Sequence, residues 1–366
     1  MRVAVVGPTH PYKGGVAAHT TELAWHLAAA GHETDLVSWS RLYPSFLYPG
    51  EQVVPDGAPD LAPYGRTTRP LSWRRPDSWV RVGQRLRSYD LVVVVHVVPA
   101  VAPAHLALLR ALRAGRGPRP RVVVVAHNVL PHEPHPGAAA LVRALLTTAD
   151  ATLVHTQDQA QRARELGAVD VGVVPLPPHL PGGSPLPHRP ADGPPRLLAL
   201  GIVRPYKGVD VLLEALAQVP GPTLTIAGEL WGAAGERVRE LAAGLGDRVE
   251  LRAGYVPATS LAGLIAGRDV LALPYRSATA SQNALLGFAH GMPVLATRVG
   301  TFAEEVSDGV DGLLAEPGSV DSLVFALRRL CEVGAVEKLR DGVRPPDLTT
   351  PWAAYVEALT LAGRVG

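Results

Sequence analysis

Residues 91–98, Leu-Val-Val-Val-Val-His-Val-Val, form an apolar run in which branched side chains follow one another without polar alternation. Such continuous runs are typical of strands that are buried on both faces, as in parallel sheets. Shorter runs of the same kind recur along the chain, and segments with helical periodicity separate them. This alternation of strands and helices predicts a doubly wound α/β fold.

The alternation occurs twice, and a proline-rich segment separates the two halves. In the first half we predict strands over residues 3–6, 33–37, 91–98, 121–125, 151–155 and 171–174, and helices over 16–30, 100–114, 137–148 and 157–166. In the second half we predict strands over 196–200, 223–227, 249–252, 270–272, 294–296 and 312–315, and helices over 209–218, 235–245, 258–267, 281–290, 320–332 and 351–362. Residues 176–195 hold eight prolines, which exclude a helix or a central strand and predict a linker.

Composition narrows the class of protein. The 366 residues carry 35 Lys and Arg against 33 Asp and Glu, so the chain lacks the basic excess of a nucleic-acid binder. The single cysteine, Cys331, excludes an intramolecular disulfide and a thiolate zinc cluster. The N-terminal apolar run is too short for a signal peptide, and none reaches the roughly 20 residues of a membrane span. We therefore expect a cytoplasmic protein.

Only three of the 35 basic residues are lysines: Lys13, Lys207 and Lys338. Two of them occupy equivalent loops after the first strand of each half, in Pro-Tyr-Lys-Gly at 11–14 and again at 205–208. Ligands of open α/β sheets bind at the carboxyl ends of the strands. Two such loops that face each other across a cleft predict a bound phosphate or diphosphate, whereas the alternative is that both are simple turns.

The neighbours of these lysines fit an anion site. Gly14 and Gly15 precede a helix, where a bare backbone can approach a ligand and free N–H groups favour an anion. Arg204 and Lys207 would neutralise a leaving diphosphate, although a solvated basic turn is the alternative. Neither half has G-x-G-x-x-G after its first strand, and G-x-x-x-x-G-K-[ST] is absent. A dinucleotide oxidoreductase and a P-loop NTPase are therefore disfavoured.

Two further polar segments follow predicted strands. Residues 275–283 lead into the helix predicted over 281–290, and we expect Ser281 to be its N-cap and the helix N-terminus to suit a phosphate. Residues 127–133 contain His127, His132 and Glu133, which could bind sugar hydroxyls or transfer protons. An ordinary capped helix and a surface loop are the alternatives. No D-x-D motif or tight histidine pair is present, so we predict no metal site.

Residues 66–87 are basic and contain Trp73 and Trp79. This mixture suits an anionic membrane surface, which predicts peripheral contact with the inner face of the membrane. It suits equally well a helix with a solvated basic face and buried tryptophans.

The motifs together resemble the retaining GT-B glycosyltransferases of family 4 over nearly the whole chain. The matching residues are Gly14-Gly-Val with His19, the run at 27–33, Gly-Ile-Val-Arg-Pro-Tyr-Lys-Gly-Val-Asp at 201–210, Ile-Ala-Gly at 226–228, Gly-Met-Pro-Val-Leu-Ala-Thr-Arg-Val-Gly at 291–300, Glu304 and Asp-Gly-Val-Asp-Gly at 308–312. The resemblance implies two Rossmann-like doubly wound domains that face across a cleft. It implies an acceptor domain over 1–177, a linker over 178–195, a nucleotide-sugar domain over 196–348 and a terminal helix, 349–366, that crosses back to the first domain.

The resemblance also assigns residues. It implies that Arg204 and Lys207 hold the donor diphosphate, that Gly15 approaches the donor and that His127 lies near the donor sugar. The further donor-binding candidates are Lys13, Gly14, Tyr255, Ser281, Gln282, Asn283 and Glu304.

The chain departs from the family at one motif. The usual Glu-x7-Glu precedes Gly-x-Pro-Val, but Ala278 and Leu286 stand at its two positions. The backbone, Ser281, Gln282 and Asn283 are then expected to face the donor.

We therefore predict a retaining, metal-independent transfer of a hexosyl group from a UDP-, GDP- or similar nucleotide sugar. The acceptor is a hydroxyl of a glycan, a lipid-linked compound or a small molecule, and no separate cofactor or nucleic acid takes part. The first alternative is a nucleotide-sugar epimerase or hydrolase that uses Glu133 and Glu304. The second is a catalytically inactive accessory protein that binds the nucleotide sugar.

Overall fold

The computed structural model describes residues 1–44, 48, 51–54, 61–115, 117, 119–131, 136–181, 183–190 and 193–364. The chain forms two compact units. Unit 1 consists of Met1–Pro177 with Leu348–Gly366, and unit 2 consists of Pro178–Asp347.

Unit 1 is built on a parallel sheet in the order β3-β2-β1-β4-β5-β6-β7. Its strands are β1 (Arg2–Val6), β2 (Glu33–Arg41), β3 (Thr67–Ser72), β4 (Leu91–His96), β5 (Arg121–Ala126), β6 (Ala151–Val154) and β7 (Val171–Val173). Its helices are α1 (Gly15–Ala29), α2 (Pro76–Arg85), α3 (Ala102–Arg113), α4 (Ala138–Leu146) and α5 (Gln157–Glu165). The central strand β4 is buried on both faces, because Val92 and Val94 enter one hydrophobic core and Val93 and Val95 enter the other.

Unit 2 repeats this architecture with a parallel sheet in the order β10-β9-β8-β11-β12-β13. Its strands are β8 (Arg196–Leu200), β9 (Thr223–Gly228), β10 (Val249–Ala253), β11 (Val270–Leu273), β12 (Val294–Thr297) and β13 (Gly312–Ala315). Its helices are α6 (Val209–Ala217), α7 (Gly232–Leu245), α8 (Ala258–Ala266), α9 (Asn283–Ala289), α10 (Phe302–Glu305), α11 (Val320–Leu330) and α12 (Ala335–Gly342). The two parallel sheets with their helices confirm the predicted pair of Rossmann-like, doubly wound α/β domains.

The last helix, α13 (Thr350–Ala362), belongs to unit 1. Trp352, Tyr355 and Leu359 are buried in the same hydrophobic core as Val93 and Val123 of the unit 1 sheet. Full burial of one such large apolar side chain is worth about 2 kcal/mol. The helix is therefore an integral part of the core of unit 1.

The structure corrects the bounds of two predicted elements at the candidate sites and adds β3, α2, α10 and α12, which were not predicted. Helix α9 begins at Asn283 and has seven residues, with Gln282 rather than Ser281 at its N-cap position. The strand predicted over 91–98 ends at His96, because Pro99 opens a short 3-10 turn two residues after Val97. No helix in the described ranges is long and apolar enough to cross a membrane.

Candidate active site

The loop after β8 presents two cations at the carboxyl end of the unit 2 sheet. The half-buried Lys207 places its Nζ 5.5 Å from the centroid of the Tyr275 ring, and burial lowers the pKa of this lysine. Arg204 places its guanidinium carbon 5.4 Å from the centroid of the Trp231 ring. Gly201 has a φ of +97°, and a Cβ there would lie only 2.9 Å from Lys207 Nζ. The bare backbone of this glycine therefore leaves room for the ammonium group.

Arg276 ties this loop to the loop after β11. Its guanidinium donates to both carboxylate oxygens of Asp210, at 2.8 and 2.7 Å, and to the carbonyl of Pro205 at 2.8 Å. Its main-chain N–H donates to the carbonyl of Tyr206 at 2.7 Å. Burial raises the pKa of Asp210, but the hydrogen bonds and charge of Arg276 outweigh burial and hold this pKa below its ordinary value. The carboxylate therefore stays ionised and keeps the guanidinium in place.

Gly208 brings the two loops into close contact. Its φ is +63°, and a Cβ at this position would lie 2.1 Å from the carbonyl oxygen of Pro274. Glycine tolerates both the left-handed backbone and this approach, whereas a residue with a side chain does not. The turn that holds Lys207 thus depends on a glycine.

Tyr275 is a residue that the sequence did not single out for the site. It is only 4% exposed, and its hydroxyl accepts a hydrogen bond from Asn283 Nδ2 at 2.9 Å. Burial raises its pKa to about 12, although hydrogen bonds from Asn283 and Ser281 oppose the shift. The available signal was one aromatic residue at the start of segment 275–283, separated by Arg276 from the run of small residues at 277–281.

The donor-binding candidates of the 281–283 segment have protein partners. The Oε1 of Gln282 accepts the main-chain N–H of His179 at 2.7 Å, where the proline-rich segment joins unit 2. Asn283 Nδ2 donates to Tyr275, and Ser281 Oγ lies 3.5 Å from the main-chain nitrogen of Asn283. The segment is therefore shaped by contacts within unit 2.

The remaining candidates of unit 2 are more dispersed. Tyr255 is half-buried and follows β10 at the edge of the sheet, and Glu304 is exposed on α10. Leu286 is buried in the hydrophobic core on α9, and the carbonyl of Ala278 faces Gly300. The sequence did not indicate the neighbouring Glu305. In the structure, burial raises the pKa of its carboxyl to about 7.

In unit 1, His127 lies in a buried cluster of histidines. It follows β5 directly, His155 follows β6 directly, and His19 projects from α1. The ring centroid of His127 is 4.6 Å from that of His19 and 4.9 Å from that of His155. The Tyr355 ring of α13 lies 5.2 Å from His19. The convergence of these rings depends on the tertiary structure and is not visible in sequence spacing.

Burial keeps His127 and His155 neutral. Burial lowers the pKa of His127 well below its ordinary value, and the neighbouring histidines lower it further. Burial likewise lowers the pKa of His155 to about 4, although a hydrogen bond to the carbonyl of Val174 opposes the shift. A neutral imidazole has one donor and one acceptor nitrogen, so His127 can bind a hydroxyl but carries no charge at pH 7.

The loop of Lys13 has different neighbours. The main-chain N–H of Lys13 donates to the carbonyl of Gln52. Gly14 is the N-cap of α1 with a φ of +102°. A Cβ built at Gly15 meets no atom of the described residues within 4 Å, so this glycine borders open space. His132 and Glu133 lie outside the described residues. Within the described part of the chain, no group of three or more His, Cys, Asp or Glu residues is arranged to hold a metal ion.

The basic segment 66–87 forms β3 and α2. Trp79 packs against the core of unit 1, and its Nε1 donates to the carbonyl of Ser72 at 2.9 Å. Arg75 and Arg81 both pair with Asp77 at the start of α2. This arrangement fits the alternative of a packed tryptophan beneath a solvated basic face.

Both halves of the chain match models of glycosyltransferase families. Residues 13–177 match the model described as Glycosyltransferase Family 4, and residues 194–332 match the one described as Glycosyl transferases group 1. The chain is 28% identical over 282 residues to the D-inositol 3-phosphate glycosyltransferase of Mycobacterium tuberculosis. The same identity holds for the enzyme of that name from Mycobacterium bovis. The alignment covers 71% of this chain and 52% of each relative, so the chain spans about half the length of the curated relatives it matches.

Solved structures show the same fold. Sucrose-phosphate synthase from Thermosynechococcus elongatus superposes with a TM-score of 0.74 at 20% identity, over 99% of this chain and 97% of that one. HepE of Anabaena in complex with UDP-glucose superposes with a TM-score of 0.73 at 15% identity, over 99% and 100% of the two chains. These likenesses confirm the GT-B fold class.

Proposed function

We propose that this chain, which belongs to glycosyltransferase family 4, is a glycosyltransferase that moves a hexosyl group from a nucleotide-diphosphate sugar to a hydroxyl acceptor, with retention and without a metal ion. The nucleotide sugar is a substrate, and no separate cofactor takes part. HepE, which has the same fold, binds UDP-glucose, and this supports a nucleotide-sugar donor.

The observation that carries the proposal is the pair of cations after β8. Cleavage of a sugar–phosphate bond leaves negative charge on the diphosphate, and each fixed cation aimed at that charge can stabilise the transition state by about 3 kcal/mol. Lys207 is held beside Tyr275, and Arg276 fixes its loop. Lys207 therefore needs little reorganisation when the charge develops. Together with Arg204, it supplies the positive charge that a divalent cation would otherwise provide.

His127 supports a role for unit 1 in hydroxyl chemistry. Its imidazole is neutral, so it suits a hydrogen bond to a sugar or acceptor hydroxyl rather than a contact with phosphate. Retention is explained by a reaction in which the acceptor hydroxyl attacks the sugar from the face that the phosphate leaves, and the leaving phosphate then helps to deprotonate the acceptor. His127 then orients a hydroxyl and need not take its proton.

The test begins with a thermal-shift panel of UDP-, GDP- and ADP-sugars. A ligand at about 100 times its Kd adds ~2.7 kcal/mol of stability, which is readily detected. The stabilising donor is then incubated with pools of glycans, polyols and lipid-linked acceptors, with and without EDTA. We expect EDTA-resistant release of the nucleoside diphosphate and a product whose anomeric configuration, read by NMR, equals that of the donor. An inverted product contradicts retention, and tight donor binding without turnover favours the accessory-protein alternative.

For segment 66–87, we propose peripheral contact with a membrane surface. Arg74, Arg75, Arg81 and Arg85 are exposed on it, and a basic residue near an anionic surface contributes about 1 kcal/mol. We expect the protein to float with phosphatidylserine vesicles but not with phosphatidylcholine vesicles, and Arg81→Glu with Arg85→Glu to abolish flotation. Equal flotation of the double variant contradicts this contact.

A further inference from the structure

The ring of Tyr275 forms one wall beside the Lys207 ammonium group. The distance of 5.5 Å from Lys207 Nζ to the ring centroid lies within the range of a cation–π interaction. Lysine carries its charge on a flexible four-carbon stem, so its position depends on what surrounds it. Gly201 leaves space next to the ammonium, because a Cβ there would lie 2.9 Å from Nζ. The aromatic face is thus a fixed surface against which this cation is set.

The hydroxyl of the same tyrosine reaches a different element. It accepts from Asn283 Nδ2, and Asn283 is the first residue of α9. One rigid side chain therefore touches the loop after β8 on its ring and the start of α9 on its hydroxyl. A phenol ring has few rotatable bonds and cannot move at one end without moving at the other.

The surroundings leave Tyr275 little freedom. Its carbonyl accepts from the hydroxyl of Thr297 at 2.5 Å, and Thr297 is fully buried at the end of β12. Its ring centroid is 5.2 Å from that of Phe302 and 5.9 Å from that of Tyr206, both in edge-to-face geometry. Tyr275 is therefore fixed by the ends of three neighbouring strands and their loops.

We propose that Tyr275 is a positioning residue that sets the Lys207 ammonium relative to the 281–283 segment. It couples binding of the donor diphosphate to the placement of the segment that faces the rest of the donor. The inference rests on the proposed function, since it assumes that Lys207 binds the diphosphate. Tyr275 itself acts through its neighbours and needs no contact with the substrate.

Two substitutions separate the two ends of the side chain. Tyr275→Leu removes the ring, and we expect the Kd for inorganic pyrophosphate, the probe of the Lys207 loop, to rise about tenfold. Tyr275→Phe keeps the ring and removes the hydroxyl, so we expect the pyrophosphate Kd to stay within about twofold while kcat/KM for the nucleotide sugar falls about tenfold. A purely structural role would shift both readouts together in both variants.

Tyr64→Phe is the matched control, because the buried Tyr64 of unit 1 also loses one hydrogen bond, a 2.9 Å bond from its hydroxyl to the carbonyl of Thr34. We expect its Tm to fall as much as that of Tyr275→Phe, with both the pyrophosphate Kd and kcat/KM unchanged. An equal kinetic loss in Tyr64→Phe would mean that lower stability explains the effect, and this result overturns the proposal.

Double variants decide the coupling. Lys207→Ala with Tyr275→Leu should bind pyrophosphate no more weakly than Lys207→Ala alone, and additive losses contradict the proposal. If Tyr275→Leu does not fold, Tyr275→Phe with Asn283→Ala replaces it, and additive losses in kcat/KM again contradict the proposal. Unchanged pyrophosphate binding in Lys207→Ala alone removes the proposed function and this inference together. An effect of Lys207→Ala without any effect of the Tyr275 variants removes only the inference.

Discussion

The carboxyl ends of the two sheets collect different groups on the same architecture. In unit 2, the loops after the neighbouring strands β8 and β11 present Lys207 and Arg276, held by a carboxylate, carbonyls and an aromatic ring. In unit 1, the positions directly after the neighbouring strands β5 and β6 hold His127 and His155, which are buried beside α13. The loops after β8 and β11 of unit 2 therefore carry cations, whereas the positions after β5 and β6 of unit 1 carry neutral imidazoles.

The difference shows that a shared fold does not determine the chemistry at the carboxyl end of its sheet. Fixed cations suit a diphosphate, whereas neutral imidazoles suit hydroxyl groups. The proposed division, with donor phosphates on unit 2 and hydroxyl chemistry on unit 1, follows from this contrast. The contrast itself can be tested in stability and in activity.

Acid should affect unit 1 most strongly. The folded-state pKa values of His96 and His155 are about 4, below the ordinary 6.5, so the unfolded chain binds more protons below pH 6.5. The contribution of the two neutral histidines to the free energy of unfolding is therefore complete above pH 6.5. It is lost as the pH falls toward 4, and the loss is about 3 kcal/mol for each histidine. We expect calorimetry between pH 7.5 and 4.5 to show one of two unfolding transitions falling steeply.

His155→Phe is the control for this prediction, because it keeps an aromatic ring beside Tyr355 and removes one titrating group. The fall of Tm with decreasing pH should be shallower in this variant. Parallel falls of both transitions, or an unchanged slope in His155→Phe, would show that the neutral histidine cluster does not govern acid stability.

Gly208 and Gly15, which follow the two loop lysines by one and two residues, should respond in opposite ways. Gly208→Ala places a Cβ against Pro274 in a left-handed turn, and we expect a loss of about 3 kcal/mol in the free energy of unfolding. Gly15→Ala adds a methyl group in open space, so stability should stay within about 0.5 kcal/mol. Because Gly15 is predicted to approach the donor, turnover should nevertheless fall in this variant. Urea unfolding and a transfer assay measure the two effects.

The contrast fails if Gly15→Ala unfolds as readily as Gly208→Ala. It is sharpened if Gly15→Ala keeps its Tm but loses turnover, since the added methyl then interferes only when the donor is bound.

The smallest effect is expected for Asp210→Asn, which weakens the hold of Arg276 on the Lys207 loop. The two side chains are 29% and 39% exposed, so the pair should contribute less than about 1 kcal/mol to stability. We expect the donor KM to rise by a factor of about two to five, and the change to shrink at high salt because charge is involved. A salt-independent change in KM would indicate a steric rather than an electrostatic role.

Sequence patterns located most of the fold, because buried parallel strands require apolar runs such as that of β4. They missed β3, whose Thr-Thr-Arg-Pro-Leu-Ser sequence has no such run and forms a strand by pairing with β2. They also missed α12 as a separate helix and placed the start of α9 two residues too early. Ser281 has a side chain typical of an N-cap, but the first helical residue is Asn283. The side chain of Asn283 donates to the hydroxyl of Tyr275.

The candidate site was only partly predictable. The rarity of lysine pointed to Lys207, and the Pro-Tyr-Lys-Gly repeat pointed to its loop. Nothing in the spacing indicated that Tyr275 would contact Lys207 and Asn283, or that His19 would meet His127, because these contacts join elements that are distant in the chain. Such contacts depend on the order of strands in each sheet.

The most direct test of the cationic site compares two lysines in one assay. Lys207→Ala removes the charge beside Tyr275, and Lys338→Ala removes the charge of an exposed lysine on α12. With the donor identified by thermal shift, we expect kcat to fall at least about a hundredfold in Lys207→Ala, the scale of one lost charge-stabilising group, and to stay unchanged in Lys338→Ala. A wild-type kcat in Lys207→Ala would contradict the assignment of diphosphate stabilisation to this loop.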